Sequence, residues 1–121
     1  MKIKEIINFI ENFAPIFLQE EYDNCGLTIG DRNTKIKKIL ICLDVTLEVM
    51  EEAKKNNCNL IISHHPVIFK EIKKINNNDL TEKIINRAIK NNICLYALHT
   101  NLDNIIGCLS LCVERRDIYC F

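Results

Sequence analysis

Three short apolar runs, separated by helix-like segments, constrain the fold of this 121-residue chain more than any other feature. The runs span 38–43, 60–62 and 93–98, and each is rich in isoleucine or leucine. Short runs that are apolar throughout are typical of strands buried on both faces of a parallel sheet. The segments between them have helical spacing, and Thr46 is a predicted N-cap. The sequence therefore predicts an α/β fold, with a parallel-containing sheet joined by βαβ crossovers.

Helical and turn patterns predict the other elements. Apolar residues at helical spacing indicate an amphipathic helix over 3–13, a second helix over 46–56 and a third over 80–91. A short strand is expected over 27–29, and a surface loop rich in lysine and asparagine over 67–79. The third helix is expected to bury five side chains: Leu80, Ile84, Ile85, Ala88 and Ile89.

Charge and hydropathy exclude several classes of function. The chain has 16 basic and 16 acidic residues, so its formal net charge is +0, and it lacks the basic excess of a nucleic-acid binder. No apolar run approaches the length of a transmembrane helix. The first 13 residues have an amphipathic pattern unlike that of a signal peptide. We therefore expect a cytoplasmic protein without nucleic-acid or membrane partners.

The 7 cysteines do not form a recognisable disulfide or zinc pattern. Cys42 and Cys94 lie within apolar runs, where buried reduced thiols are expected. Cys108, Cys112 and Cys120 could form a zinc site with His99, but no Cys-x-x-Cys pair supports that interpretation.

Polar residues follow each of the three predicted parallel strands. Asp44 follows the first strand, His64 and His65 follow the second, and His99 to Asp103 follow the third. Ligands of open α/β sheets bind beyond the carboxyl ends of the strands. Imidazole and carboxylate are common ligands of zinc, iron, manganese and nickel. The sequence therefore predicts a metal site at this edge, where Asp103 could bridge two ions and His99 or Asp44 could orient a ligand or substrate.

Each of these residues also has an ordinary structural interpretation. The His64-His65 pair could be part of a polar loop, and Asp44 could belong to a turn. Asn101 or Asp103 could be the N-cap of a following helix. Adjacent residues of an extended segment point to opposite sides, so the two histidines would serve neighbouring ions or opposite sides of one site. Taken together, the histidines and aspartates at three strand ends favour metal binding.

Four motifs occur along the chain in this order: Asp23-Asn24-Cys25-Gly26-Leu27, Leu43-Asp44-Val45-Thr46, Ser63-His64-His65-Pro66 and His99-Thr100-Asn101-Leu102-Asp103. In order and spacing they resemble the GTP cyclohydrolase I type 2 homologues, which are also called the NGG-interacting-factor-three-like family. The resemblance covers residues 1 to about 107.

The resemblance implies a cytoplasmic, ring-shaped homohexamer with a dinuclear metal centre. It implies that His64, His65 and Asp103 are ligands of divalent metal ions, two per subunit. For some members, hydrolysis of GTP with release of formate has been proposed.

The chain departs from that family after Asp103. A typical member is at least twice as long and carries a later histidine and glutamate that complete the site, whereas no histidine follows Asp103 here. We expect residues 1–107 to form the N-terminal part of the domain and 108–121 to be a divergent tail, the result of truncation.

Three functions fit the sequence. The first is a metal-dependent hydrolase of a nucleotide or another small molecule, in which His99 would be the proton shuttle or orienting group. The second is a non-catalytic metal-binding or oligomerisation remnant that has lost the second half of its site. The third is a structural α/β fragment without metal.

Overall fold

Helices and strands alternate along the chain in the computed structural model, which describes residues 1–106 and 119–120. The elements are α1 (Ile3–Phe13), a 3₁₀ turn (Ile16–Leu18), β1 (Gly26–Ile29), β2 (Ile39–Cys42), α2 (Leu47–Lys55), β3 (Leu60–Ser63), α3 (Leu80–Lys90), β4 (Cys94–Ala97), α4 (Thr100–Ile106) and β5 (Tyr119–Cys120).

One five-stranded sheet has the order β1-β4-β3-β2-β5. β2, β3 and β4 are parallel neighbours, and α2 and α3 connect them, as the three apolar runs predicted. β1 and β5 pair antiparallel at the two edges. Across the parallel strands, Cys42 pairs with Ser63 and Ser63 pairs with Ala97. The three carboxyl ends are therefore level with one another, and the residues that follow them are neighbours.

Apolar side chains pack on both faces of the sheet. On one face α2 and α3 cover the strands, and their buried residues include Val49, Met50, Ala53, Ile84 and Ala88. On the other face α1 contributes Ile3 and Ile7, which pack with Leu60, Cys94 and Tyr96. Removing this apolar surface from water on both faces stabilises the sheet and so holds the carboxyl ends of its strands in place.

Side-chain oxygens cap both crossover helices. The Thr46 hydroxyl accepts a hydrogen bond from Val49 N at 3.2 Å, as predicted, and the Asp79 carboxylate caps α3 through Glu82 N. The prediction for the buried face of α3 was partly wrong, because Leu80 is 54% exposed and Ile89 is 58% exposed. Both residues lie at the margin of the face that packs on the sheet, and periodicity alone does not locate that margin.

Cys42 and Cys94 are reduced and buried, as expected. Burial, with the charge of Asp44 nearby, raises the pKa of Cys42 to about 12, so this thiol stays protonated.

The predicted tail, 108–121, lies outside the described residues except for 119 and 120, which form β5. Cys108 and Cys112, considered above as zinc ligands, also lie outside them. Among the described residues, no helix is both long and apolar enough to cross a membrane.

Candidate metal centre

The carboxyl edge of the three parallel strands brings all three histidines of the chain together. β3 ends at Ser63, and the next two amides extend its pairing with β2: His64 N donates to Cys42 O at 3.2 Å and His65 N donates to Leu43 O at 3.1 Å. On the other side, Leu98 N donates to Ser63 O at 2.9 Å, which places His99 beside the histidine pair.

His64 and His65 lie close together even though they are adjacent in sequence. Their ring centroids are 5.0 Å apart, and the His99 ring lies 5.0 Å from His64 and 5.3 Å from His65. The chain bends after Ser63, so the alternation of an extended segment does not apply to this pair. The Ser63 hydroxyl donates to the carbonyl of His65 at 2.8 Å and holds that bend. That the two histidines serve neighbouring ions or opposite sides of one site stays a prediction.

Each imidazole is oriented by a hydrogen bond from its Nδ1 atom to an oxygen. His64 Nδ1 donates to the Leu98 carbonyl at 2.9 Å. His65 Nδ1 donates to Asp44 Oδ1 at 2.7 Å, and His99 Nδ1 donates to Asp23 Oδ2 at 3.0 Å. Since a carbonyl or a carboxylate can only accept, the proton of each neutral ring lies on Nδ1. The three Nε2 atoms then carry the lone pairs that a metal ion needs.

Asp103 adds a carboxylate to this cluster. It lies inside α4 and not at the N-cap, because the helix begins at Thr100; the N-cap interpretation of Asp103 and Asn101 was therefore wrong. The Asp103 N–H donates to the His99 carbonyl at 3.1 Å, which fixes the first turn. Asp103 Oδ2 then lies 3.8 Å from His64 Nε2, with the Asp103 side chain 49% exposed.

Asp23 is the buried anchor of the cluster, and its side chain is 0% exposed. Its Oδ2 accepts from His99 Nδ1, from Thr100 N at 3.1 Å, from the Thr100 hydroxyl and from Cys25 Sγ at 3.1 Å. Burial raises the pKa of this carboxyl, but the hydrogen bonds from Thr100, His99, Cys25 and Asn24 more than offset burial and hold the pKa well below its usual range. Asp23 is therefore ionised at neutral pH and fixes both His99 and the start of α4.

The residues present fit a divalent cation. One coordinating atom from each of His64, His65 and His99 lies within 4.8 Å of the others. Two atoms bound to the same zinc-sized ion are at most about 4.2 Å apart, so a small movement of these side chains brings them to one ion. His64, His65 and Asp103 are all at least partly exposed, which permits that movement. Two nearby carboxylates, Asp103 and Asp44, add negative charge that attracts a cation.

The structure brings the four predicted site residues together at one edge: His64, His65, His99 and Asp103. Sequence reasoning assigned the metal to His64, His65 and Asp103 and a catalytic or orienting role to His99; these roles stay predictions, and in the structure His99 shares the same cluster. Sequence reasoning did not identify the role of Asp23 in orienting His99. The signal that could have found Asp23 is the Asp23–Leu27 motif, which is polar and has no helical or strand periodicity.

Comparison with known proteins gives one consistent result. The profile of the family described as Duf34/NIF3 (NGG1p interacting factor 3) matches residues 1–115, and so extends past Asp103, where the last of the four motifs ends. A Clostridium acetobutylicum protein named GTP cyclohydrolase 1 type 2 homolog is 48% identical over 105 residues, which are 87% of this chain and 39% of that protein.

Solved structures agree with the sequence match. A Bacillus cereus protein related to NIF3 superposes with a TM-score of 0.80 at 45% identity, over 85% of this chain and 28% of the other. A Staphylococcus aureus protein superposes with a TM-score of 0.81 at 42% identity, over 85% of this chain and 33% of the other. This chain thus spans well under half the length of the relatives it matches.

Proposed function

The chain belongs to the Duf34/NIF3 family, and from that premise we propose that it binds divalent metal ions through His64, His65 and Asp103. The observation that carries the proposal is the convergence of three imidazoles, each held by an Nδ1–H···O hydrogen bond. Histidine ligands of metal ions almost always donate their second nitrogen to a carboxylate or carbonyl in this way. A polar loop without metal has no such need to orient three rings alike.

The donor set suits zinc, iron, manganese or nickel, because these ions accept both imidazole nitrogen and carboxylate oxygen. We propose that Asp103 lies between two ion positions, since its two oxygens can bind separately. Two ions require more donors than His64, His65 and Asp103 provide, so water or another chain would complete the coordination.

We further propose that the site belongs to a metal-dependent hydrolase of a nucleotide or a similar small molecule. The relatives named GTP cyclohydrolase 1 type 2 homolog are the reason for considering a nucleotide. When bound, a divalent ion supplies Lewis acidity towards water and towards phosphoryl or carbonyl oxygens. His99 is the residue we assign to proton transfer or to substrate orientation, because Asp23 fixes its ring and its Nε2 faces the cluster.

The first test is the metal content of protein purified without an affinity tag, measured by elemental analysis. We expect near-stoichiometric metal in the wild type and its loss in a His64→Ala/His65→Ala variant. Asp103→Ala should weaken binding, whereas Glu51→Ala, which removes an exposed carboxylate on α2 and its ion pair with Arg87, should not. Wild-type protein as empty as the double variant would overturn the proposal.

A non-catalytic metal-binding or oligomerisation module is the second candidate. The ligand count favours it, because three donors do not fill two sites. The two candidates differ in turnover: a hydrolase releases product from a nucleotide at a rate that falls in His64→Ala and His99→Ala. A non-catalytic module binds metal, but its rate of product release does not exceed that of the His64→Ala and His99→Ala variants.

We propose that the chain self-associates, with the homohexamer implied by its family as the expected form. Three exposed aromatic side chains near the end of α1 and in the following turn support association: Phe9 is 75% exposed, Phe13 61% and Phe17 82%. Exposed apolar clusters of this kind commonly mark contacts between protein chains. Sedimentation velocity of the purified chain tests this, and a monomer at all concentrations would contradict it.

We also propose that residues 1–107 form the N-terminal part of the domain and that residues 108–121 are a divergent tail. Limited proteolysis tests this division.

A further inference from the structure

Two exposed aromatic rings from distant parts of the chain meet beside the histidine cluster. Tyr22 is 64% exposed and Phe69 is 47% exposed. Their ring centroids are 6.2 Å apart and their planes are tilted by 52°. Large aromatic side chains usually bury most of their surface, so a pair that meets at the surface needs an explanation.

The aromatic pair is anchored to the same residues that orient His99. Tyr22 directly precedes Asp23, and consecutive Cα atoms are about 3.8 Å apart. Phe69 directly follows Ile68, whose carbonyl accepts a hydrogen bond from Asn24 Nδ2 at 2.7 Å. Asn24 N in turn donates to Asp23 Oδ1 at 2.8 Å. Tyr22 is therefore one peptide unit from Asp23, the residue that orients His99. Phe69 is linked to Asp23 through the hydrogen bond from Asn24 to the Ile68 carbonyl.

The 67–79 loop that carries Phe69 holds three lysines and two acidic residues, Glu71 and Asp79, so its net charge is positive by one. Two glutamates, Glu20 and Glu21, precede Tyr22. Lys70 follows Phe69 directly, and Lys73 and Lys74 lie farther along the same loop, all three exposed. Aromatic faces beside cationic groups suit a ligand with a planar ring and an anionic substituent.

We propose that Tyr22 and Phe69 form the ring-binding part of the site and stack on the planar heteroaromatic ring of an anionic ligand, such as a nucleobase that carries a phosphate. This assignment rests on the proposed function only for the anionic end of the ligand, which would meet the cation held by the histidines or the lysines of the loop. The stacking part depends on the two rings alone.

The alternative is that the pair only fastens the 67–79 loop to the segment around Asp23. Substitution by leucine distinguishes ligand stacking from a purely structural contact, because leucine preserves apolar bulk but has no aromatic face. A fastening contact would be largely retained in Tyr22→Leu and Phe69→Leu, whereas stacking would be lost.

The experiment is isothermal titration calorimetry of the full chain with guanosine monophosphate, guanosine and ribose 5-phosphate, in metal-loaded and in chelated protein. We expect Tyr22→Leu and Phe69→Leu each to bind guanosine monophosphate and guanosine about tenfold more weakly, the loss of one base–aromatic stack. Affinity for ribose 5-phosphate and the metal content should stay at wild-type values. Ile75→Ala is the matched control, since Ile75 lies in the same loop as Phe69, is 51% exposed and carries no aromatic ring; it should bind like the wild type.

Several outcomes would overturn the inference. They are failure of the wild type to bind guanosine or its monophosphate, equal affinity in wild type and Tyr22→Leu or Phe69→Leu, and an equal loss in Ile75→Ala. Loss of ribose 5-phosphate binding in the same variants would also do so, because it would show general damage to the site. If the wild type binds no metal but guanosine binding still depends on Tyr22 and Phe69, the proposed function fails and the stacking subsite stands.

Discussion

The carboxylate of Asp23 accepts a hydrogen bond from Nδ1 of His99 at 3.0 Å, although 76 positions separate the two residues along the chain. The Asp23 side chain is 0% exposed, whereas that of Asp44, the equivalent partner of His65, is 58% exposed. Two histidines of one cluster are therefore oriented by carboxylates in opposite environments. Substitutions of these two carboxylates therefore distinguish an effect on the orientation of a histidine ring from an effect on the stability of the fold.

Replacement of Asp23 by asparagine should lower both stability and metal affinity. The amide oxygen can replace Oδ2, which now accepts from four N–H, O–H and S–H donors. The NH₂ group then faces the N–H of Asn24, which donates to Oδ1 at 2.8 Å, and the negative charge that these donors stabilise is lost. We expect the free energy of unfolding to fall by about 2 kcal/mol and metal affinity to fall by about 10- to 100-fold. Urea unfolding and metal titration measure the two effects.

Asp44→Asn is the matched control for Asp23→Asn. It also removes a carboxylate that orients a histidine, but at an exposed position where unpaired groups are solvated by water. We expect weaker metal binding with little change in the free energy of unfolding. If the two variants lose equal stability, the special importance of the buried carboxylate is refuted.

The contribution of Asp23 to stability should depend on pH in a defined direction. Hydrogen bonds from Thr100, His99 and Cys25 more than offset burial and lower the pKa of Asp23 from its ordinary value of 3.8. A carboxyl with a depressed folded-state pKa stabilises the fold fully above its unfolded pKa and progressively less as the pH falls below that value. The difference in unfolding free energy between the wild type and Asp23→Asn, measured in metal-free protein by urea titration, should therefore be constant above about pH 5 and shrink from pH 4 downwards. A difference that stays constant down to pH 2 would show that the carboxyl is not held ionised.

The carboxyl edge of the sheet could be predicted from sequence because it depends on local periodicity. Three apolar runs rich in isoleucine or leucine defined three parallel strands, and the polar residues after them had to share one edge. The direction of each ring could not be predicted in the same way. The bend after Ser63 that brings His64 beside His65 depends on a hydroxyl-to-carbonyl hydrogen bond that no periodicity reports.

Asp23 illustrates the other limit of sequence reasoning. Its partners, His99 and Thr100, are distant in sequence, and a single aspartate in a loop has many ordinary functions. The exposed positions of Leu80 and Ile89 have a related cause. The angle at which α3 meets the sheet decides which apolar residues are buried, and that angle results from tertiary packing.

Addition of metal should stabilise the folded protein reversibly. An ion that binds only the folded chain raises the free energy of unfolding by about 2.7 kcal/mol at 100 times its dissociation constant. We expect zinc or manganese to raise the Tm of the wild type, a chelator to reverse the rise, and His64→Ala/His65→Ala to show neither effect. Thermal unfolding followed by circular dichroism measures this, and an equal rise in the double variant would place the ion elsewhere.

Gly30→Ala should destabilise the edge strand β1 at its end farther from the site. Gly30 follows β1 with φ +110°, a conformation that alanine rarely adopts, and an added Cβ would meet the side chain of Cys94 and lie 3.0 Å from its Cα. Because Cys94 is buried in β4, neither group can move away, and we expect a loss of about 1–3 kcal/mol. Gly26→Ala is the matched control: its φ is also positive, at +101°, but its Cβ would meet only the end of the Ile16 side chain at 3.3 Å. Urea unfolding should therefore rank Gly30→Ala as the less stable of the two, and the reverse order would show that backbone strain outweighs the steric contact with Cys94.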